Sequence, residues 1–398
     1  MSNYRFDRME LSGSLGDLGA LLPLSMGLVM INGLDPIGMF ASVGLLYVLG
    51  GIYYGVPIAV QPMKVVSAYA IATAATPAQI AASGWLLAGM LLLLGVSGLV
   101  DRVAKAIPTC VIRGVQLSTG VLLMAKGASF IAGTSAYQQV QGAGEPFLAV
   151  QSFGPVSVGA VIGIVLGAAT LLLLGNRRFP AGLVVVLAGA FCGLLLGGAS
   201  GLSDVQPGFF LPHMLPFGLP AWPDFSWALL ALALPQIPMT LGNAVIANRD
   251  LSHEYFGRRS HRVTGRALCV SMGLANMFAA FIGGMPLCHG AGGLAAHYRF
   301  GARTAGSNLI IGGIFLVLAL GLGEGIIPVL HVLPLSALGV LLIFAGIQLG
   351  LAVMDLQQRG GMFVALGMCG IALGLNLAWA FVAGLVVAFL LRSGKVEV

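Results

Sequence analysis

The sequence predicts an all-α polytopic membrane protein, with about fourteen spans arranged as two inverted repeats of seven. Three observations predict this fold class. Of the 398 residues, 58% are hydrophobic and only 8% are charged, whereas soluble domains have about 25% charged residues. Apolar stretches of about 20 residues, the length that crosses a bilayer, recur along the whole chain. Short motifs of the first half return, in the same order, in the second half.

Hydropathy and helix-breaking residues divide the chain into fourteen candidate spans. These cover residues 11–32, 36–54, 57–75, 79–99, 106–125, 154–174, 180–199, 225–247, 264–283, 286–298, 304–322, 333–351, 361–375 and 376–391. Proline or glycine interrupts spans 3 and 10. Because these residues disfavour regular helix, we predict that each of the two spans is a short extended segment followed by a half-helix.

The distribution of basic residues predicts the orientation, because cytoplasmic loops collect Lys and Arg. With the N-terminus inside, sixteen basic residues fall on the inner side and one, Lys126, on the outer side. The sixteen are Arg5, Arg8, Arg102, Lys105, Arg177, Arg178, Arg249, Arg258, Arg259, Arg262, Arg266, Arg299, Arg303, Arg359, Arg392 and Lys395. We therefore expect a multi-pass protein of the cell membrane with both termini cytoplasmic. This topology explains the basic pI of about 9.2, so we do not expect nucleic acid as a partner.

Three motif pairs indicate the repeat. LPLSMG at 22–27 matches IPMTLG at 237–242, and GVPI at 55–58 matches GMPL at 284–287. The fifth and twelfth spans open with IPTCVIRG and LPLSALGV. The offsets, 215, 229 and 226 residues, are nearly constant. We predict one repeat over 1–199 (spans 1–7) and a second over 200–398 (spans 8–14), inverted because each has an odd number of spans.

The two broken spans predict an anion site. Two half-helices that start near the middle of the membrane would point their N-termini at a shared space, and helix N-termini bind anions. Lys64 adds a full positive charge at the start of the first half-helix. A lysine at this depth costs about 2.5–3.5 kcal/mol, so a role at the site is favoured over a structural one.

Four segments carry a resemblance to a known family. They are GDLGALLPLSMGL (16–28), GVPIAVQPMK (55–64), LPQIPMTLGNAVIA (234–247) and MPLCHGAGGLAAHYRFGARTA (285–305). The chain resembles the molybdate transporter family of plants and bacteria, a distant branch of the SulP sulfate-transporter group. Leu287, Ala296 and His297 depart from the family pattern. The resemblance implies a core domain of spans 1–4 and 8–11, and a gate domain of spans 5–7 and 12–14.

The candidate site residues lie in the broken spans 3 and 10 and in spans 1 and 8. The predicted substrate-binding residues are Gln61, Met63, Lys64, Gln236, His289, Gly290, Ala291 and Gly292. For Gln61 and His289 a structural cap is an equal alternative, and for Gln236 a hydrogen bond at a helix kink. Asp17, two turns into span 1, is the candidate for proton coupling; hydrogen bonding to backbone around the breaks is the alternative.

These features predict a secondary active transporter that imports a tetrahedral divalent oxyanion by alternating access, with proton coupling. Molybdate follows from the resemblance alone; a sulfate transporter or an anion channel of the same fold is the alternative. No metal site, cofactor or enzymatic activity is predicted, because the five cysteines form no CxxC pair and no HExxH or GxSxG motif occurs. The expected partners are the oxyanion, protons, membrane lipid and, in a homodimer, a second copy of the chain.

Overall fold

The computed structural model describes residues 4–174 and 181–393, which are mostly α-helical. The helices of the first half are α1 (Arg8–Ser14), α2 (Leu18–Met30), α3 (Pro36–Tyr54), α4 (Lys64–Thr73), α5 (Pro77–Ser97), α6 (Val100–Ala106), α7 (Thr109–Ala132), α8 (Ala136–Val140), α9 (Val158–Leu173) and α10 (Ala181–Leu195). Those of the second half are α11 (Trp222–Ala228), α12 (Leu234–Met239), α13 (Asn248–Phe256), α14 (Gly265–Phe281), α15 (Ala291–Arg299), α16 (Gly306–Leu322), α17 (Ile326–His331), α18 (Leu335–Leu351), α19 (Arg359–Gly374) and α20 (Leu377–Arg392).

The described residues also form four two-residue strands. They are β1 (Gln61–Pro62), β2 (Ser152–Phe153), β3 (Val156–Ser157) and β4 (Leu287–Cys288). β1 pairs with β4 and β2 with β3, both antiparallel. Six helical stretches are long and apolar enough to cross a membrane, and six shorter helices are also apolar. With the two broken spans, the described residues account for the fourteen spans predicted from sequence.

Helix packing reflects the inverted repeat. The most extensive contacts join α7 to α18, α5 to α14 and α3 to α16. In the repeat, α3 corresponds to α14, α5 to α16 and α7 to α18. The α3–α16 and α5–α14 contacts are therefore equivalent, and α7–α18 is a contact between two counterparts. At the α7–α18 contact, a Cβ atom on Gly120 or Gly346 would lie 2.5 Å from the carbonyl oxygen of the other glycine. Small residues at helix contacts permit this close backbone approach in membranes.

Two predicted spans have boundaries that the structure corrects. Span 1 is not continuous: α1 ends at Ser14, α2 begins at Leu18, and Asp17 is the residue that precedes α2. A hydropathy window of about 19 residues does not register so short a break. Span 5 continues to Ala132, beyond the predicted end at residue 125, so Lys126 lies within the helix; its position on the outer side of the membrane stays a prediction. Its ammonium lies 5.4 Å from the centroid of the Phe130 ring. Arg177, Arg178 and Lys395 lie outside the described residues.

Span 8 is one long helical stretch from Trp222 to Phe256, in which π-helical turns alternate with α-helix. The π-helical segments cover Leu229–Ala233 and Thr240–Ala247, on either side of the two prolines of α12. Proline removes a backbone hydrogen-bond donor, and the π-turns accommodate the interruption of the i→i−4 hydrogen bonding of the helix. This helical stretch places the Gln236 side chain beside the first turn of α4.

Candidate substrate-binding site

The two broken spans meet at the β1–β4 pair. Gln61 lies opposite Cys288 and Pro62 opposite Leu287, and the Met63 amide donates a 2.8 Å hydrogen bond to the Pro286 carbonyl. Because the strands are antiparallel and each leads directly into a helix, α4 and α15 start close together and run in opposite directions. The predicted extended segments followed by half-helices are therefore confirmed.

Two asparagines complete the hydrogen bonding of the extended backbone. Asn308 of α16 accepts from the Ile58 amide at 3.1 Å and donates to the Ile58 carbonyl at 2.8 Å. Asn276 of α14 does the same for Leu287, at 2.6 and 3.1 Å. Each asparagine side chain thus makes the two backbone hydrogen bonds that a neighbouring strand would otherwise make. Buried backbone N–H and C=O groups need such partners, because no water reaches them. The sequence analysis did not identify either asparagine, although a buried amide in an apolar span is a usable signal.

The N-terminus of α4 is capped by Gln236. Its Oε1 atom accepts hydrogen bonds from the amides of Val65, at 2.9 Å, and Val66, at 3.3 Å. Its Nε2 atom donates to the Thr240 hydroxyl at 2.9 Å. The Gln236 side chain is buried. This side chain therefore occupies two of the amides through which the helix would bind an anion.

The N-terminus of α15 has a different environment. No side chain among the described residues caps it, and its first residues are Ala291 and two glycines. Gln61 lies against the preceding Gly290 so closely that a Cβ atom there would overlap the Gln61 Oε1. The Gln61 Nε2 donates to both carboxylate oxygens of Asp17, at 2.7 and 2.8 Å. Asp17 therefore lies beside the first turn of α15, not isolated within a helix.

Lys64 and Gly292 are the parts of the site that retain accessible surface. A Cβ atom on Gly292 would lie 3.9 Å from the Lys64 Nζ, so this ammonium faces the first turn of α15. Among the described residues, no carboxylate lies within 4.0 Å of the Lys64 ammonium. Lys64 still interacts electrostatically with Asp17 over a longer distance. The charged group is thus available to a ligand.

Two predicted site residues have buried side chains. Met63 is the residue before α4 and is fully buried, so only its backbone is close to the site. His289 is also buried, and its Nδ1 lies 2.9 Å from the Ala59 carbonyl and its Nε2 3.0 Å from the Ser271 hydroxyl. Gln61 and His289 both precede a half-helix, as predicted, but Gln61 contacts Asp17 while His289 bonds to backbone and to a serine.

The site therefore combines one ammonium, two helix N-termini and one carboxylate–amide pair. Helix N-termini and lysine both favour negative ligands. Within the described part of the chain, no three His, Cys, Asp or Glu side chains come together where a metal ion could bind.

Comparison with known proteins decides the family. Residues 9–123 and 228–349 match a family model described as "Molybdate transporter of MFS superfamily". The chain belongs to this molybdate transporter family. "Molybdate transporter 1" and "Molybdate transporter 2" of Arabidopsis thaliana are 30% and 31% identical to it, and each alignment covers 96% of this chain and 87% of the relative.

Solved structures show the fold of this family member. The overall structure of SLC26A9 superposes with a TM-score of 0.68 at 14% identity, covering 98% of this chain and 66% of that one. The transmembrane domain of the cyanobacterial bicarbonate transporter BicA gives a TM-score of 0.65 at 15% identity, covering 96% and 98%. The molybdate transporter family member thus shares the fold of anion transporters of the SLC26 and SulP group.

Proposed function

We propose that this protein is a secondary active transporter that imports a tetrahedral divalent oxyanion, with molybdate as its substrate. The observation that carries the proposal is the meeting of two half-helix N-termini with the accessible Lys64 ammonium between them. The family and its plant relatives, which are named as molybdate transporters, support molybdate as the particular oxyanion. Transport, not catalysis, is the activity we assign to this site.

Charge matching supports a dianion. Each helix N-terminus carries about half a positive charge, and Lys64 contributes one more, so these groups together carry roughly two positive charges when Asp17 is protonated. We propose that the oxyanion lies between the Lys64 ammonium and the first turn of α15, at Gly290, Ala291 and Gly292. Gln61 and Gln236 are buried and act indirectly, because Gln61 holds Asp17 and Gln236 holds the first turn of α4, while Met63 contributes backbone only. A neutral ligand would not need Lys64.

Asp17 links the site to protons in this proposal. Its ionised carboxylate adds one negative charge to the positive site, so a proton on Asp17 favours the bound anion, and the bound anion favours the proton. Such coupling is reciprocal. It also supplies energy, because moving a dianion against an inside-negative potential costs about 2.3 kcal/mol per charge per 100 mV. His289 remains a candidate for a second proton, although both its ring nitrogens are engaged in this conformation.

Alternating access is the mechanism we propose, with a core domain of spans 1–4 and 8–11 moving against a gate domain of spans 5–7 and 12–14. One asymmetry in packing supports it. α4 packs along α7, whereas its counterpart α15 makes at most marginal contact with α18 among the described residues. We therefore propose that this conformation is closed on the α4 side and open on the α15 side. Under the predicted topology, with both termini cytoplasmic, the open side would face the cytoplasm.

Substrate identity is tested by uptake of molybdate into proteoliposomes, measured by mass spectrometry. We expect saturable uptake for which tungstate competes well and sulfate less well. Equal competition by sulfate would assign a general sulfate-type oxyanion transporter. Single-channel currents without saturation would assign an anion channel instead.

Coupling is tested with imposed pH gradients. We expect wild-type uptake to rise as the external pH falls, and Asp17→Asn to lose this response while some molybdate binding remains. The reason is that asparagine keeps the hydrogen bond from Gln61 but cannot take up a proton. Wild-type uptake that ignores the gradient, or a full pH response in Asp17→Asn, would contradict proton coupling through Asp17.

A further inference from the structure

A deep groove lies between α3 and α14, away from the site described above. Its cavity has a volume of about 760 Å³, within the roughly 300–1,000 Å³ of most ligand sites. Apolar side chains from both helices form most of its walls, among them Leu45, Leu49, Leu274 and Phe278. We refer to this feature as the α3–α14 groove. Leu49 and Leu274 are about half exposed, so the groove opens sideways toward the surrounding bilayer.

One end of the groove is polar and positively charged. Thr264 and Arg266, at the start of α14, line this end. Arg262 lies at the same end and donates to the Tyr53 carbonyl at 3.0 Å. Arg266 is exposed and forms no ion pair with a described residue. The groove is therefore amphipathic, with guanidinium groups and a helix N-terminus at one end and hydrocarbon along its length.

The floor of the groove connects to the broken span that carries Lys64. The Tyr54 hydroxyl lies 2.8 Å from the Ser271 hydroxyl, and both residues line the groove. The Ser271 hydroxyl in turn lies 3.0 Å from the His289 Nε2, and the His289 Nδ1 lies 2.9 Å from the Ala59 carbonyl. From Ser271, two hydrogen bonds thus join the groove to the extended backbone just before Gln61.

We propose that the α3–α14 groove binds one anionic glycerophospholipid. An acyl chain fills the apolar length, and the headgroup phosphate lies at Arg266 and Arg262. Charge complementarity favours this occupant, because basic pockets between membrane helices bind anionic headgroups, and helix N-termini bind phosphate. A soluble anion would leave the apolar length unfilled, and a zwitterionic lipid would leave the excess positive charge uncompensated. Through the hydrogen bonds at its floor, the lipid stabilises the strand that positions Lys64.

Native mass spectrometry of the purified protein tests the binding directly. The probes are dioleoylphosphatidylglycerol and dioleoylphosphatidylcholine, titrated separately. We expect the first phosphatidylglycerol to bind wild type about fivefold or more tightly than phosphatidylcholine. Leu274→Trp fills the groove and should weaken the first phosphatidylglycerol about fivefold. Arg266→Gln should remove the preference between the two lipids while leaving phosphatidylcholine binding unchanged.

Matched controls lie on other membrane-facing surfaces. Leu366→Trp on α19 and Arg359→Gln at its start change equally exposed residues that do not line the groove, and both should bind phosphatidylglycerol as wild type does. If Leu274→Trp does not fold, judged by size-exclusion chromatography, Leu49→Trp fills the groove from the opposite wall. Unchanged phosphatidylglycerol binding in the groove-filling variant, or equal binding of both lipids to wild type, would overturn the proposal. This readout does not depend on transport, so it stands apart from the proposed function.

Discussion

The two half-helices α4 and α15 occupy equivalent positions in the two repeats, yet their N-termini differ in chemistry. α4 begins with Lys64, and Gln236 caps its next two amides. α15 begins with small residues and no cap, and the Asp17–Gln61 pair lies beside it. One N-terminus is therefore charged and capped, while the other is bare backbone next to a carboxylate.

Under our proposal, this difference is what makes the anion site of an inverted repeat selective. Symmetry supplies two helix N-termini in one place, which is a general anion site. Side chains from spans 1 and 8 then distinguish the two ends, because Asp17 reaches the half-helix of the second repeat and Gln236 that of the first. Under our proposal, the α15 end holds most of the anion through its backbone, and the α4 end supplies the cation.

The largest expected effect comes from crowding the α15 end. Gly290→Ala places a Cβ atom on the Gln61 Oε1, so Gln61 must move and its hydrogen bonds to Asp17 are lost. We expect molybdate uptake in proteoliposomes to fall about 100-fold, roughly 2.7 kcal/mol. Gly313→Ala is the control, since nothing lies within 4 Å of a Cβ at that helical position. Uptake by Gly290→Ala within a few-fold of the control would show that this end does not depend on close approach.

Removing the charge at the α4 end should have the next largest effect. Lys64→Gln keeps a polar side chain but loses the ammonium that faces Gly292. We expect oxyanion affinity to fall about tenfold, which is about 1.4 kcal/mol, while the protein remains folded in the membrane. Lys126→Gln is the matched control, because this lysine also lies within a membrane-spanning helix but in α7, near Phe130. Near-normal affinity in Lys64→Gln would make Lys64 a structural residue.

The smallest expected effect comes from removing the α4 cap. Gln236→Met has a similar length but accepts no hydrogen bond from Val65 or Val66. Loss of an N-cap costs about 0.5–2 kcal/mol, so we expect slightly lower stability and faster hydrogen exchange at these two amides. Hydrogen-exchange mass spectrometry measures the change, with the exposed Gln357→Met as the control. If exchange in the first turn of α4 stays as slow as in wild type, Gln236 is not its effective cap.

The fold could be predicted from sequence to a large extent because it follows from short-range signals. Pro62 and the glycines at 290, 292 and 293 reveal the two broken spans, since they act on their own backbone. The break between α1 and α2, which contains Asp17, was missed because it is much shorter than a hydropathy window. The end of span 5 was missed because Lys126 interrupts the hydropathy without interrupting the helix.

The site was harder to predict than the spans. Lys64 stood out, because an ammonium inside an apolar span is costly. The partners of Gln61 could not be predicted, since Asp17 is 44 residues away along the chain. Gln236 accepts hydrogen bonds from amides that lie 171 and 170 residues away along the chain. No local sequence pattern indicates this pairing. Asn276 and Asn308 were overlooked because their role appears only once the extended segments lie beside them.

The sequence by itself determined that this chain is a membrane protein of two inverted repeats with two broken spans. Composition, helix-breaking residues and charge distribution are properties of local segments, and the bilayer acts on each segment separately. Only the tertiary structure decided that Gln236 caps α4, that Asp17 pairs with Gln61 beside α15, and that the Lys64 ammonium remains open to a ligand. Those contacts form between distant segments, and packing of the repeats against each other selects them.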